Sequence, residues 1–256
     1  MRKRLVLLGL LATFSASGAV AQTCTGNCGT DSANGVVTAP PGGGNYQYVS
    51  TSGGAGGAGQ ISTVGGTNGS EYVTSVFSAN AGDALNFNFN YVTSDGAGYA
   101  DYAFAELLQG GTHYAWLFTA RTEPSGNTSP GFLLPADDAT LTPSGTPIIG
   151  GGPTWAELGG YSGKCYDAGC GYTDWINSLY TIVAPGNYQL RFGVTNWSDT
   201  IWDSGLAFSG LKLNDVPIDT GAVPEPATWA MMLLGFGGIG MAIRRSKRSR
   251  ALMQTA

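Results

Sequence analysis

One stretch of seven residues constrains the backbone of this chain more strongly than any other. From Leu85 to Tyr91, large apolar side chains alternate with three asparagines in the order Leu-Asn-Phe-Asn-Phe-Asn-Tyr. Successive side chains of a β-strand point to opposite faces, so this alternation predicts a strand with one apolar face and one amide face. Residues 188–194 alternate in the same way. We therefore expect sheets that turn one face towards a core.

The composition of the 256 residues also favours a mainly β fold. There are 41 glycines, and charged residues make up 11% of the chain, against a usual ~25%. Helices carry charged outer faces and little glycine, so a mainly helical protein is disfavoured. Hydrophobic residues reach 43%, which is too many for a chain that is disordered throughout.

Gly-rich turns divide the middle of the chain into short predicted strands. Besides the two alternating runs, strands are predicted over 71–79, 99–108, 112–121, 178–183 and 206–213. Many short strands with such turns favour an antiparallel, jelly-roll-like sandwich for residues 60–219. Residues 22–59 contain PPGGG and SGGAGGAG, and they are predicted to be irregular and flexible apart from one strand over 46–49.

Charge is distributed very unevenly along the chain. Residues 1–21 hold three basic side chains and no acidic one, and residues 224–256 hold five basic side chains and one acidic one. Residues 22–223 hold four basic side chains against 16 acidic ones, a net charge of −12. Such an acidic domain repels phosphate backbones, so no nucleic-acid partner is expected.

The beginning of the chain has the three parts of a secretory signal peptide. Basic residues at 2–4 precede an apolar run over 5–14, and the small residues Ala19 and Ala21 satisfy the cleavage rule. We expect the Sec machinery to export the chain and signal peptidase to release a mature protein that starts at Gln22.

A second apolar segment lies near the other end. Residues 227–243 carry no charge and include four glycines, which predicts a single transmembrane helix that crosses a thin hydrocarbon core. Pro224 and Pro226 keep the backbone before it extended, as a protease requires. A basic tail over 244–250 would hold the following end in the cytoplasm. Its membrane-stop residues are Arg244, Arg245, Lys247 and Arg248.

Residues 220–256 resemble the PEP-CTERM sorting signal of Gram-negative bacteria, with a Pro-Glu-Pro motif, an apolar Gly-rich helix and an Arg-rich tail in that order. The resemblance implies that exosortase, a membrane-embedded protease and transpeptidase, recognises Pro224, Glu225 and Pro226. It also implies an inner-membrane intermediate, cleavage near the motif and transfer to the cell surface or extracellular matrix. The family's link to exopolysaccharide and biofilms implies a structural or adhesive role.

A second resemblance concerns the middle of the chain. The heptapeptide WDSGLAF at 202–208 is similar to the last strand of choice-of-anchor domains, which are β-sandwich modules found with several surface anchors. The resemblance would extend over most of residues 60–218. It implies a sandwich fold and a surface role, with no known activity.

The four cysteines predict two local disulfides. An exported protein meets an oxidising environment, and the spacings favour the pairs Cys24–Cys28 and Cys165–Cys170. A zinc site is the alternative, but zinc sites usually include histidine partners, and the chain has one histidine.

No catalytic residue is predicted. Any Ser-His-Asp triad would have to use the single histidine, His113, and no GxSxG elbow is present. A glycoside hydrolase needs two carboxylates at a defined separation. The candidate acids are scattered: Asp101, Glu106, Glu123, Glu157 and Asp203. We expect a protein without enzymatic activity, with polysaccharide hydrolysis as the weaker alternative.

Two further binding sites are predicted from side-chain type. Carboxylate oxygens in loops suit calcium, and the candidates for one structural ion are Asp95, Asp101, Asp199 and Asp203. Their alternative role is to form turns. Exposed aromatic rings can stack on sugars, and the candidates are Tyr172, Trp175, Trp197 and Trp202. Alternatively, these aromatic side chains pack in the core of the sandwich. A carbohydrate-binding module is thus the alternative to a structural or adhesive protein, with no cofactor expected beyond calcium.

Overall fold

The computed structural model describes residues 22–123, 127–145 and 147–218. The strands are β1 (Thr23–Thr25), β2 (Asn27–Asp31), β3 (Tyr46–Ser50), β4 (Ala55–Gly56), β5 (Asn68–Val73), β6 (Phe77–Ala79), β7 (Ala84–Thr93), β8 (Tyr102–Gln109), β9 (Thr112–Arg121), β10 (Thr140–Thr142), β11 (Ile149–Gly150), β12 (Gly171–Tyr172), β13 (Ile176–Thr181), β14 (Gly186–Thr195), β15 (Ser204–Leu213) and β16 (Val216–Pro217). A short 3₁₀ helix spans Ala156–Tyr161.

In these three ranges, no helix has the length and apolar character that a membrane span requires. The predicted signal peptide, the Pro-Glu-Pro motif, the helix over 227–243 and the basic tail all lie outside the described residues.

The strands form two antiparallel sheets, as the alternation predicts. One sheet has the order β1-β5-β14-β8-β9, with β4 on β5 and β6 on β14. The other has the order β10-β13-β7-β15-β3-β2, with β12 on β7, β11 on β12, and β16 on β15. The chain crosses between the sheets three times from β3 to β8 and three times from β9 to β15. We name the two sheets A and B.

The main core lies between the two sheets. Leu85, Phe87, Phe89 and Tyr91 of β7 are all buried, which confirms the apolar face predicted from the alternation. Phe89 of sheet B stacks on Phe118 of sheet A with ring centroids 3.7 Å apart. Burying side chains of this size contributes roughly 1.5–3 kcal/mol each, which is what holds the sheets together.

The structure corrects the prediction for residues 22–59. This segment is not an irregular linker, because β1 to β4 lie within it and pair with β5 and β15 or with each other. Some of its glycines allow close packing of the backbone. Gly59 has φ +65°, and a Cβ there would overlap the carbonyl oxygens of Ser70 and Val194.

Both cysteine pairs lie at disulfide distance, as the spacings predict. The Cα atoms of Cys24 and Cys28 are 6.2 Å apart, and those of Cys165 and Cys170 are 5.7 Å apart. Cys24 belongs to β1 of sheet A and Cys28 to β2 of sheet B. The first link therefore ties the two sheets together at the start of the described chain.

Loops cover the outer faces of both sheets. On sheet B, Trp155 is fully buried in a second apolar cluster with Val37, Tyr46 and Leu158. On sheet A, Tyr102 and Phe104 pack with Ile61 in a third cluster. Each of these clusters lies outside the main core, between a sheet and the loops that pack on it.

Candidate functional site

Four aromatic side chains form a surface cluster at one end of the sandwich, and we call Tyr99, Tyr161, Tyr166 and Trp202 the aromatic patch. The ring centroids of Tyr161 and Trp202 are 4.9 Å apart, those of Tyr166 and Trp202 are 5.6 Å apart, and those of Tyr99 and Tyr166 are 5.7 Å apart. Tyr99 and Tyr166 are 40% and 45% exposed. Such amphipathic rings at a surface are suited to contact with an amphipathic partner.

Three loops hold the aromatic patch in place. The Cys165–Cys170 link closes the loop that carries Tyr166. The Tyr166 backbone N–H donates to the Ser94 carbonyl oxygen over 2.9 Å. Ser94 in turn donates from its N–H and its Oγ to the carbonyl oxygen of Asp203, which is next to Trp202 in the chain. The patch is therefore built on cross-linked loops rather than on a single free one.

The backbone at Trp202 adopts an unusual conformation. Its φ is +62°, in the left-handed region that bulky residues avoid. Such residues cost roughly 1–3 kcal/mol and concentrate at functional sites. Ser198, in the same loop between β14 and β15, also has positive φ. The strain at Trp202 supports the inclusion of its ring in the candidate site.

Three of the predicted calcium ligands are buried beside the aromatic patch. Asp101 accepts hydrogen bonds from the Trp197 N–H over 2.9 Å and from the Ser204 Oγ over 2.6 Å. Asp203 accepts one from the Thr51 Oγ1 over 3.0 Å. Burial raises the pKa of both carboxyls. These two acids act as internal hydrogen-bond acceptors that brace the loops.

Asp95 differs from its neighbours because one of its oxygens has no partner. Its Oδ1 accepts the Gly96 N–H over 2.7 Å, whereas the buried Oδ2 accepts no hydrogen bond from the described residues. Burial raises the pKa of Asp95 to about 7, and the negative charge of Asp199 adds to the rise. An ionised Asp95 is therefore costly to the folded state near neutral pH.

The structure gives the calcium prediction no support. Asp199 is partly buried, and its Oδ1 accepts the Ile201 N–H over 3.1 Å. Within the described ranges, no three His, Cys, Asp or Glu side chains form a group able to hold a metal ion. Calcium binding at Asp95, Asp101, Asp199 and Asp203 stays a prediction.

The four predicted sugar-contacting residues do not form one site. Trp202 belongs to the aromatic patch. Tyr172 and Trp175 pack instead against the outer cluster of sheet B, where the Trp175 Nε1–H donates to the Thr38 carbonyl oxygen over 3.1 Å. Trp197 lies under the Arg121 guanidinium, whose carbon is 4.5 Å from the ring centroid. Sequence reasoning missed Tyr99, Tyr161 and Tyr166, because tyrosines in irregular loops carry no periodic signal.

A second candidate site lies on the outer side of sheet A. It is a cleft of about 560 Å³, and we call it the polar cleft. Its lining includes Glu106, His113, Trp116 and Arg191, and the loop over 60–63 forms one wall. This volume falls within the ~300–1,000 Å³ of most small-ligand pockets.

Charged groups in the polar cleft are joined in one network. Glu106 bridges Arg191 and His113. Its Oε2 accepts a hydrogen bond from Arg191 Nη1 over 2.9 Å, and its Oε1 lies 2.8 Å from His113 Nδ1. Arg191 Nε also donates to Glu71 Oε2 over 2.7 Å. Glu106 is almost completely buried, whereas the His113 side chain is 45% exposed. The network thus connects the interior of sheet A to the cleft surface.

One irregularity in β9 brings His113 and Trp116 together. The pairing with β8 shifts register between Leu107 and Leu108, which leaves Tyr114 without a partner in the ladder. Residues three apart lie on opposite faces of a regular strand. Here the extra residue lies between the two, and the rings of His113 and Trp116 lie 4.5 Å apart on one face. Such bulges often redirect side chains next to functional sites.

Comparison with known proteins identifies one part of the chain. No curated protein matches it. Residues 222–248 match the family model of the PEP-CTERM protein-sorting motif, in the region where the sequence resemblance placed it. The chain therefore carries an exosortase sorting motif, which implies an exported protein that is processed at the membrane for the cell surface.

Proposed function

We propose that the protein has a structural or adhesive role in the extracellular polysaccharide or biofilm matrix, and that it acts by binding rather than by catalysis. The sorting motif supports the destination. The observation that carries the binding role is the aromatic patch, in which four rings meet at a surface braced by a disulfide loop. Aromatic faces bind the apolar faces of sugar rings, and many weak contacts add up along a polymer.

The route to the surface is part of the same proposal. Signal peptidase cleaves after Ala21, and the helix over 227–243 then holds an inner-membrane intermediate. Exosortase cleaves near Pro224, Glu225 and Pro226 and releases the ectodomain to the surface or matrix of a Gram-negative cell. The extended backbone that the two prolines favour supports this step, since proteases bind their substrates as extended strands.

Mapping the mature C-terminus tests the route. In the native host, the surface form of the wild-type chain is expected to end before residue 227, as read by mass spectrometry. Replacing residues 224–226 by three alanines should leave the tail attached and the chain in the membrane fraction. An alanine replacement at Thr255, beyond the motif, is the control. Surface protein with an intact basic tail in cells that lack exosortase would refute the proposed route.

A carbohydrate-binding module is the second candidate function, and the exposure of Tyr99 and Tyr166 favours it. A module would bind soluble oligosaccharides as well as the assembled matrix, whereas a purely adhesive protein would bind only the polymer. Isothermal titration with oligosaccharides cut from the host exopolysaccharide separates the two. Release of reducing ends during the same titration would instead support the alternative that the protein hydrolyses the polysaccharide.

Removing one ring from the aromatic patch should weaken binding to the host exopolysaccharide. For Tyr166→Ala we expect the dissociation constant to rise about 5- to 10-fold, since one aromatic contact contributes roughly 1 kcal/mol. Tyr166→Phe keeps the ring and should bind almost as well as the wild type. Co-sedimentation of the exported protein with the polymer measures both. Equal binding by all three proteins would show that the patch does not contact the polymer.

A further inference from the structure

The polar cleft concentrates the rare charged side chains of this domain. Residues 22–223 contain only four Lys and Arg residues, and the chain has one histidine. Arg191 and His113 nevertheless both lie in the cleft and both bind Glu106. On the outer face of a sheet, small or amide side chains would be enough for solubility. Solubility alone therefore does not explain why Arg191 and His113 lie together in the polar cleft.

Two hydrogen-bonding groups in the cleft are unused, one of them an acceptor and the other a donor. The Arg191 guanidinium is largely occupied, because it binds Glu71, Glu106 and the Gln60 carbonyl oxygen. By contrast, neither Nε2 of His113 nor Nε1 of Trp116 has a partner among the described residues. Polar groups at the mouth of a cleft that lack internal partners are available to a ligand.

Trp116 supplies the apolar part of the cleft. Its ring contacts Phe104 edge to face at 5.7 Å and lies 4.5 Å from the His113 ring. Phe104 is fully buried under it. The indole is thus held by its contacts with Phe104 and His113, and it lies in the wall of the cleft next to the carboxylate network. Ring stacking beside hydrogen-bonding groups suits a ligand with one apolar face and several hydroxyls.

Charge excludes anionic ligands from this cleft. Glu71 and Glu106 bring two carboxylates against the single guanidinium of Arg191, and the surrounding domain carries a net −12. A phosphate or a uronic acid would therefore be repelled, whereas a neutral sugar would not.

We propose that the polar cleft binds one unit of a neutral sugar, with its ring face against Trp116 and its hydroxyls on Glu106 and His113. The inference deepens the carbohydrate-binding function proposed above and adds a site that is separate from the aromatic patch. Glu106 and the Nε2 of His113 would act as hydroxyl acceptors, because the His113 Nδ1–H already donates to Glu106, and the Nε1–H of Trp116 would act as the donor. Arg191 would serve as a positioning residue that holds the Glu106 carboxylate.

Titration calorimetry with defined polymers tests the cleft. The exported protein is titrated with three neutral polysaccharides (dextran, mannan and galactan) and with alginate, a uronic-acid polymer. We expect at least one neutral polymer to bind and alginate not to bind. Trp116→Ala and His113→Ala should each weaken the neutral binding about 10-fold, equivalent to the loss of ~1.4 kcal/mol. Trp116→Phe should keep most of it.

The experiment tests the aromatic patch and the polar cleft independently of each other. The His113 side chain is 45% exposed, so His113→Ala is expected to fold, and circular dichroism is the measurement that checks this. A folding defect in Trp116→Ala would therefore not obscure the result. Loss of binding in Tyr166→Ala alone would support the aromatic patch and overturn the cleft. Loss in the Trp116 and His113 variants alone would support the cleft and not the patch. Preference for alginate, or no binding to any neutral polymer, would also overturn the cleft.

Discussion

Replacement of Trp155 by alanine is expected to lower the free energy of unfolding by about 3–5 kcal/mol. Trp155 is the largest fully buried side chain of the described residues. Its Nε1–H donates to the Tyr46 Oη over 3.0 Å, and a Cβ at Gly205 would overlap its ring. The alanine variant would leave a cavity between the outer loop and sheet B. Urea unfolding followed by circular dichroism measures the loss.

Trp155→Phe is the matched control. It keeps most of the volume and loses the hydrogen bond to Tyr46, so we expect a cost of about 1–2 kcal/mol. Domains are stable by only ~5–15 kcal/mol, so the alanine variant should be close to its unfolding threshold at 37 °C. An alanine variant as stable as the phenylalanine variant would contradict the packing described for this loop.

The domain is expected to be more stable at pH 4.5 than at pH 7.5. Burial raises the pKa of Asp95 and of Glu157 to about 7 and that of Asp137 to about 6. Between about pH 4 and pH 7 the folded state therefore binds more protons than the unfolded state, and the free energy of unfolding falls as pH rises. For Asp95 alone the fall is about 2–4 kcal/mol.

Asp95→Asn isolates this contribution. The amide cannot ionise, so the variant should lose much less stability between pH 4.5 and pH 7.5 than the wild type loses. Asp83→Asn is the control, because Asp83 is not buried and the Asn80 backbone hydrogen bond lowers its pKa. The control should keep the wild-type fall. Identical pH profiles for Asp95→Asn and the wild type would contradict the prediction.

Calcium can be examined in the same unfolding experiment. If an ion binds at Asp95, millimolar CaCl₂ at pH 7.5 should raise the unfolding midpoint of the wild type and leave that of Asp95→Asn unchanged. If calcium leaves the unfolding midpoints of both proteins unchanged, the calcium prediction is wrong.

Regular alternation was sufficient to predict the central strands. The runs at 85–91 and 188–194 lie inside β7 and β14, whose apolar faces form the main core. The short spacings between cysteines were also sufficient to predict both pairs. These signals are local, and local patterns survive in the fold when no neighbouring segment overrides them.

The missed features depend on contacts between distant residues. The short strands of residues 22–59 are defined by their partners in β5 and β15, so their Gly-rich sequence gives no periodic signal. In β9, a bulge at Tyr114 puts His113 and Trp116 on one face, against the alternation rule. Composition could not separate the buried Trp155 from the partly exposed Trp202, because both lie in irregular segments. The candidate sites therefore could not be assembled from the sequence.

The direction of β15 places the aromatic patch far from the last described residues of the chain. Its first residue, Ser204, follows Asp203 and the aromatic patch, and its last residue, Leu213, leads through a tight turn to Ile218, which hydrogen-bonds back to Leu211. Ten residues of strand separate these ends by about 30 Å. The chain therefore continues towards the sorting motif from the end of the domain that is opposite to the aromatic patch.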